Sequence, residues 1–167
     1  MTLYFAVPVL FIAGLLQTTL LPHVVVLNVK PDLVLLFVVI WGTAKGSQEG
    51  IIWGLVGGLV LDLLGAGPFG AATIAMVAVA FLTSIGEFDL VRSSLLLPLT
   101  IMFGGTMAFY AIYMLIIQAG GGVVDWEVTF RSTLLPAGVI NTLLTPVVYW
   151  IIRRISEWVK PARNLDW

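Results

Sequence analysis

Apolar residues in this chain run in long blocks, and the polar positions that interrupt them are few. Reading the blocks between charges and Gly/Pro breaks predicts six helical runs, at about 2–22, 31–45, 49–65, 69–86, 93–119 and 131–153. A bilayer core of about 30 Å needs about 20 apolar residues at 1.5 Å each, so most of these runs are read as membrane-crossing helices. The second and third are short. Only twelve residues separate Asp32 from Lys45, roughly 18 Å of helix, so this segment is expected to be tilted, broken or sheltered by its neighbours. Beyond the last block, the tail 154–167 continues an amphipathic pattern. Ile151, Ile155 and Trp158 share one face, while Arg153, Arg154, Glu157 and Lys160 point elsewhere, as suits a helix lying on the inner headgroups or an ordinary basic stop-transfer end.

Composition sharpens this picture. Of 167 residues, 60% are hydrophobic and 10% charged, with a mean hydropathy of +1.08, whereas a soluble domain is about 25% charged. The expected fold class is an all-α integral membrane protein, forming one polytopic domain over 1–167 with about six transmembrane helices. The first apolar run carries no Lys or Arg and more spans follow, so it is expected to stay as a span and not to be cleaved as a signal. With no cysteine, disulfides and thiolate chemistry are excluded. The net charge of −1 favours no partner class, and no nucleic-acid binding is expected.

An even number of spans places both termini on one side. Lys45, Arg92, Arg153, Arg154, Lys160 and Arg163 fall on that side and only Lys30 and Arg131 on the other, so both termini are expected in the cytoplasm. On the outer side, VVDWEVTF at 123–130 alternates polar and apolar residues after Gly120, Gly121 and Gly122. It reads as a short interfacial segment or as a docking surface for an external partner.

The third run carries the densest pattern. Gly50, Gly54, Gly58 and Asp62 stand at successive i+4 positions with Gly57 beside them, a stripe along which another helix can approach closely. Either another helix of the chain or a partner subunit would fill it. Asp62 lies thirteen residues beyond Glu49, roughly 20 Å along the axis, where a carboxylate facing lipid is costly. It must face protein or a wet cavity. Backbone amides of the turn Gly65–Gly70 could hydrogen-bond it, or it could pair with Lys30 or Arg131. Pro31 and Asp32 form a helix-start pattern in which the carboxylate caps the second run.

No catalytic constellation emerges. A membrane aspartyl protease needs a Gly-x-Gly-Asp setting, but Gly58, Leu59, Val60 and Leu61 precede Asp62. His23 is the only histidine and no metal-ligand spacing accompanies it. No serine has the surroundings of a nucleophile. No enzyme, metal or cofactor is expected.

Lys30-Pro31-Asp32, Glu49-Gly50, and the stretch from Gly54-x-x-x-Gly58 through Leu61-Asp62 to Gly65, Gly67, Pro68 and Gly70 together resemble the rod shape-determining protein MreD family in order and spacing. The resemblance covers nearly the whole chain, although the remaining runs match only in being apolar. It implies a non-enzymatic membrane scaffold of the bacterial cell-elongation machinery (the elongasome) in the inner membrane. Such a scaffold binds MreC and supports peptidoglycan synthesis by RodA and a class B penicillin-binding protein, and thereby cell shape. The family also looks like the substrate-binding S-components of energy-coupling-factor vitamin transporters, which supplies a rival reading with Asp32, Asp62, Asn141 and Gln17 around an outer pocket. S-components dock through small residues spaced along the first span, whereas here Ala6 is followed by Leu10; Ala71 and Ala75 have the spacing, but on the fourth run.

Overall fold

In a computed structural model that describes residues 2–19, 29–84 and 96–158, the regular elements are helices. They are α1 (Thr2–Thr19), α2 (Leu33–Lys45), α3 (Ser47–Leu64), α4 (Ala71–Ser84) and α5 (Leu96–Ala119), followed by α6 (Trp126–Thr129), which passes through a π-helical turn (Phe130–Leu134) into α7 (Leu135–Trp158). Among the described residues, three helical runs are long and apolar enough to cross a membrane: α3, α5 and Trp126–Ile152. Tyr4–Thr19, α2 and α4 are shorter apolar helices. His23, Arg92, and the tail beyond Trp158 with Lys160 and Arg163 lie outside the described residues.

The short α2 is the centre of the bundle. It packs against α1, α3, α4, α5 and α7, and Val34, Leu35, Leu36, Val38, Val39 and Ile40 are all buried. A helix apolar on every side is one enclosed by protein. Enclosure also removes the length problem, because the ends of a helix that does not meet lipid need not reach the headgroups. Its start is built locally: Asp32 is the N-cap, and the Leu35 N–H donates to its Oδ1 at 2.9 Å.

At the other end of α2, Gly46 alone links it to α3 with φ of 90°, a conformation that favours glycine. The two helices are so close at this bend that a Cβ on Gly42 would lie 3.2 Å from the Gly50 Cα. Trp41 and Trp53 stack across the hairpin with centroids 4.4 Å apart, and the Trp41 indole N–H donates to Glu49 at 2.9 Å. Lys45 sits 5.7 Å from the centre of the Trp41 ring.

The last run begins ahead of its apolar block. The Asp125 carboxylate accepts the Val128 N–H at 3.1 Å, so the chain enters helix at Trp126. Large apolar side chains such as Tyr4, Ile12, Ile74 and Leu143 project outward, which would be a liability in water and is the normal outer face of a bundle in lipid.

Candidate functional site

The glycine stripe of α3 is filled by α4. A Cβ on Gly54 would lie 2.8 Å from the Ala80 Cβ and 3.0 Å from the Met76 carbonyl oxygen, and one on Gly50 would press on Ser84 and the Gly42 Cα. At Gly58 it would run into the Thr73 Cα, with the Thr73 nitrogen at 3.0 Å and the Ala72 oxygen at 3.1 Å. Gly57 faces the other way, and a Cβ there would lie 2.9 Å from side-chain methyls of both Val34 and Val38 of α2. Of the two occupants open from the pattern alone, a helix of the same chain holds this surface. Association in lipid rests on such close packing contacts and not on expulsion of water.

Asp62 completes the stripe by tying down the start of α4. The Ala72 N–H donates to Oδ1 at 3.0 Å, the Thr73 N–H donates to Oδ2 at 3.0 Å, and the Thr73 hydroxyl also donates to Oδ2. Gly70, which precedes the helix, has no side chain with which to cap it and carries φ of 93°. A carboxylate from the preceding helix therefore takes the amides that a local Ser or Asp would normally satisfy. Negative charge at the positive end of the helix dipole adds to the attraction. The donors lie just past the turn Gly65–Gly70, and Arg131 is engaged elsewhere, 3.2 Å from Glu127 in an exposed i,i+4 pair.

Asp32 anchors a second network. Its backbone N–H donates to the Asn141 Oδ1 at 3.0 Å, and the Asn141 amide donates to the Thr106 hydroxyl at 3.3 Å. Asp32, Asn141 and Thr106 are all buried, so α2, α5 and α7 are pinned together by hydrogen bonds between polar groups shielded from solvent. Gln17 of α1 joins by accepting the Val34 N–H at 3.2 Å, with its amide beside the Asp32 carboxylate.

Both aspartates border one cavity of about 200 Å³, with Gly67, Phe109, Tyr110 and Tyr113 on its other walls. Leu61, Gly65 and Tyr110 also border a larger cleft of about 540 Å³, which carries Gln17, Thr18, Lys30 and Thr133. The structure thus brings Asp32, Asp62 and Lys30 to one end of the bundle. It leaves Arg131 off these walls and puts Gly50, Gly54 and Gly58 in the packed interface behind them. Tyr110 and Tyr113 were not apparent from sequence, where tyrosine in an apolar run reads as ordinary packing; their i, i+3 spacing on one helix face is the signal that could have found them. Thr73 was equally hidden, since its role depends on α4 docking back on α3.

Chemically, Asp62 is occupied as a hydrogen-bond acceptor for three donors, and Asp32 as a helix cap. Among the described residues, no group of three His, Asp or Glu side chains is placed to hold a metal ion. No solved structure matches the chain. The model of the rod shape-determining protein MreD family matches residues 1–155, from α1 to the last turns of α7, and the chain belongs to that family.

Proposed function

We propose that the protein is a non-catalytic scaffold of the rod-shape complex that binds MreC and thereby supports side-wall peptidoglycan synthesis by RodA and its class B penicillin-binding partner. In this reading α1, α2, α3, α4, α5 and α7 all cross the inner membrane in an S-component-like arrangement, both termini are cytoplasmic, and the aspartate end faces outward. The observation that carries it is the state of Asp62. The carboxylate that stands out in the sequence is engaged by Ala72 and Thr73 and serves the bundle's own architecture. Because α4 fills the glycine stripe, MreC must meet another surface. The outward apolar faces of α1, α5 and α7 and the rim of the outer cleft are the places left to it.

The rival reading, a solute-binding subunit of a vitamin transporter, draws on the polar cavity between Asp32 and Asp62. It is disfavoured by where the small residues go. Ala6 and Ala13 of α1 and Ala71 and Ala75 of α4 are buried in the core and are not presented to a coupling subunit. Complementation distinguishes the two. The chain should restore rod shape to cells depleted of their own MreD, and a chain that restores vitamin uptake but not shape would reverse the assignment.

A further inference from the structure

We infer that the cavity and the adjoining cleft form one composite site for a zwitterionic amino-phosphate group, of the kind carried by an ethanolamine phospholipid headgroup. This goes beyond the scaffold reading and does not depend on it. The smaller chamber has the walls of an ammonium site: two carboxylates, Asp32 and Asp62, and the aromatic side chains Phe109, Tyr110 and Tyr113. Carboxylates attract a cation directly, and aromatic faces attract it through their quadrupoles. Polar capacity remains unused there, because the Tyr110 and Tyr113 hydroxyls make no hydrogen bond among the described residues.

The larger chamber has the opposite character. Lys30 is exposed and has no carboxylate partner among the described residues, and Gln17, Thr18 and Thr133 line the same cleft as uncharged polar groups. A cation with hydroxyl and amide neighbours suits a phosphate oxygen.

The ligand class follows from the chambers lying side by side. They share Leu61, Gly65 and Tyr110 as a common wall, so a ligand spanning both must hold its charges several atoms apart. An ammonium separated from a phosphate by a two-carbon linker does so; a free amino acid, with its charges on adjacent atoms of one carbon, does not. Leu16 and Leu63 follow the chain immediately beside the cleft residues Gln17 and Leu64 and are 40% and 70% exposed. These exposed apolar side chains on the two helices that line the cleft offer acyl chains a surface, so the membrane is the expected source of the ligand.

The test is native mass spectrometry of the full-length protein in mild detergent, titrated separately with phosphatidylethanolamine, phosphatidylglycerol and free phosphoethanolamine. Phosphatidylethanolamine should be retained about tenfold better than phosphatidylglycerol, the effect of one charge-assisted contact. Lys30→Gln, at an exposed position, and Asp32→Asn, which keeps a capping side chain, should each reduce that retention severalfold, with Tyr110→Phe reducing it less. Equal retention of the two lipids, or retention unchanged in both Lys30→Gln and Asp32→Asn, overturns the inference. Competition by free phosphoethanolamine at equal concentration supports the same chemistry with a soluble source. Displacement of the lipid by a bound polypeptide, with no zwitterion preference remaining, overturns it.

Discussion

Replacing Asp62 with alanine removes in one step the acceptor for the Ala72 N–H, the Thr73 N–H and the Thr73 hydroxyl. Charge-assisted hydrogen bonds contribute about 1.5–3 kcal/mol each, which bounds the loss from above. Two features bring it down. Asp62 is only partly buried and borders a cavity, so water can reach the freed amides, and loss of an ordinary helix N-cap costs about 0.5–2 kcal/mol. Since a cap and an interhelical tie disappear together, Asp62→Ala should destabilise the fold by about 2–4 kcal/mol. Asp62→Asn keeps one acceptor oxygen but turns an amide donor toward the other N–H, and should lose about 1–2 kcal/mol. The assay is unfolding in mixed micelles by titration with sodium dodecyl sulfate, followed by the fluorescence of the buried Trp41–Trp53 pair, which lies at the opposite end of α3. The expected order of stability is wild type, then Asn, then Ala. An alanine variant as stable as wild type, or an asparagine variant less stable than alanine, would refute the reasoning. If Asp62→Asn accumulated and folded normally yet lost rod shape in cells, the carboxylate would have a charge-dependent role beyond capping.

Three further outcomes follow from the packing and the charge pattern. Gly58→Ala should sharply reduce the yield of folded protein, since the new Cβ meets backbone atoms of Thr73 and Ala72 that cannot turn aside; Gly104→Ala, with nothing within 4 Å of its Cβ position, should be neutral or stabilising by up to about 1 kcal/mol in the same purification. Asn141→Leu strands the buried Asp32 N–H and should lower stability by about 2–4 kcal/mol in the micelle titration, whereas Thr106→Val, which deprives only the Asn141 amide, should have a smaller effect. Reporter fusions after Lys45 should be cytoplasmic and those after Gly67 and Gly122 external, as the distribution of Lys and Arg requires; an external signal after Lys45 would invert the orientation.

Much of this architecture could be read from residues alone, and the boundary of what could be read has a physical cause. Features set within a few residues of one another were legible. Pro31-Asp32 announced the cap of α2, and the i+4 spacing of Gly50, Gly54 and Gly58 defined a close-contact face. The requirement that Asp62 face protein or water followed from the expense of a carboxylate in lipid. What depends on which helix lies opposite was not legible. The spacing of the glycines does not say that α4 fills them, and Thr73 becomes a partner of Asp62 only once α4 starts beside the end of α3. Tyr110 and Tyr113 become cavity walls only because α5 stands across from both aspartates. The alternation at 123–130 did not announce a helix start: Asp125 is placed to satisfy the Val128 amide, and one cap is enough to begin a helix there.

We propose that this bundle acts by holding a protein partner and performs no chemistry or transport of its own. Affinity purification of the full chain from membranes of a rod-shaped bacterium in mild detergent, followed by mass spectrometry of everything that remains bound, tests it most directly. The account predicts MreC in stoichiometric amount, with RodA and its class B penicillin-binding partner enriched. A vitamin-like molecule bound one to one, with MreC absent, would contradict it.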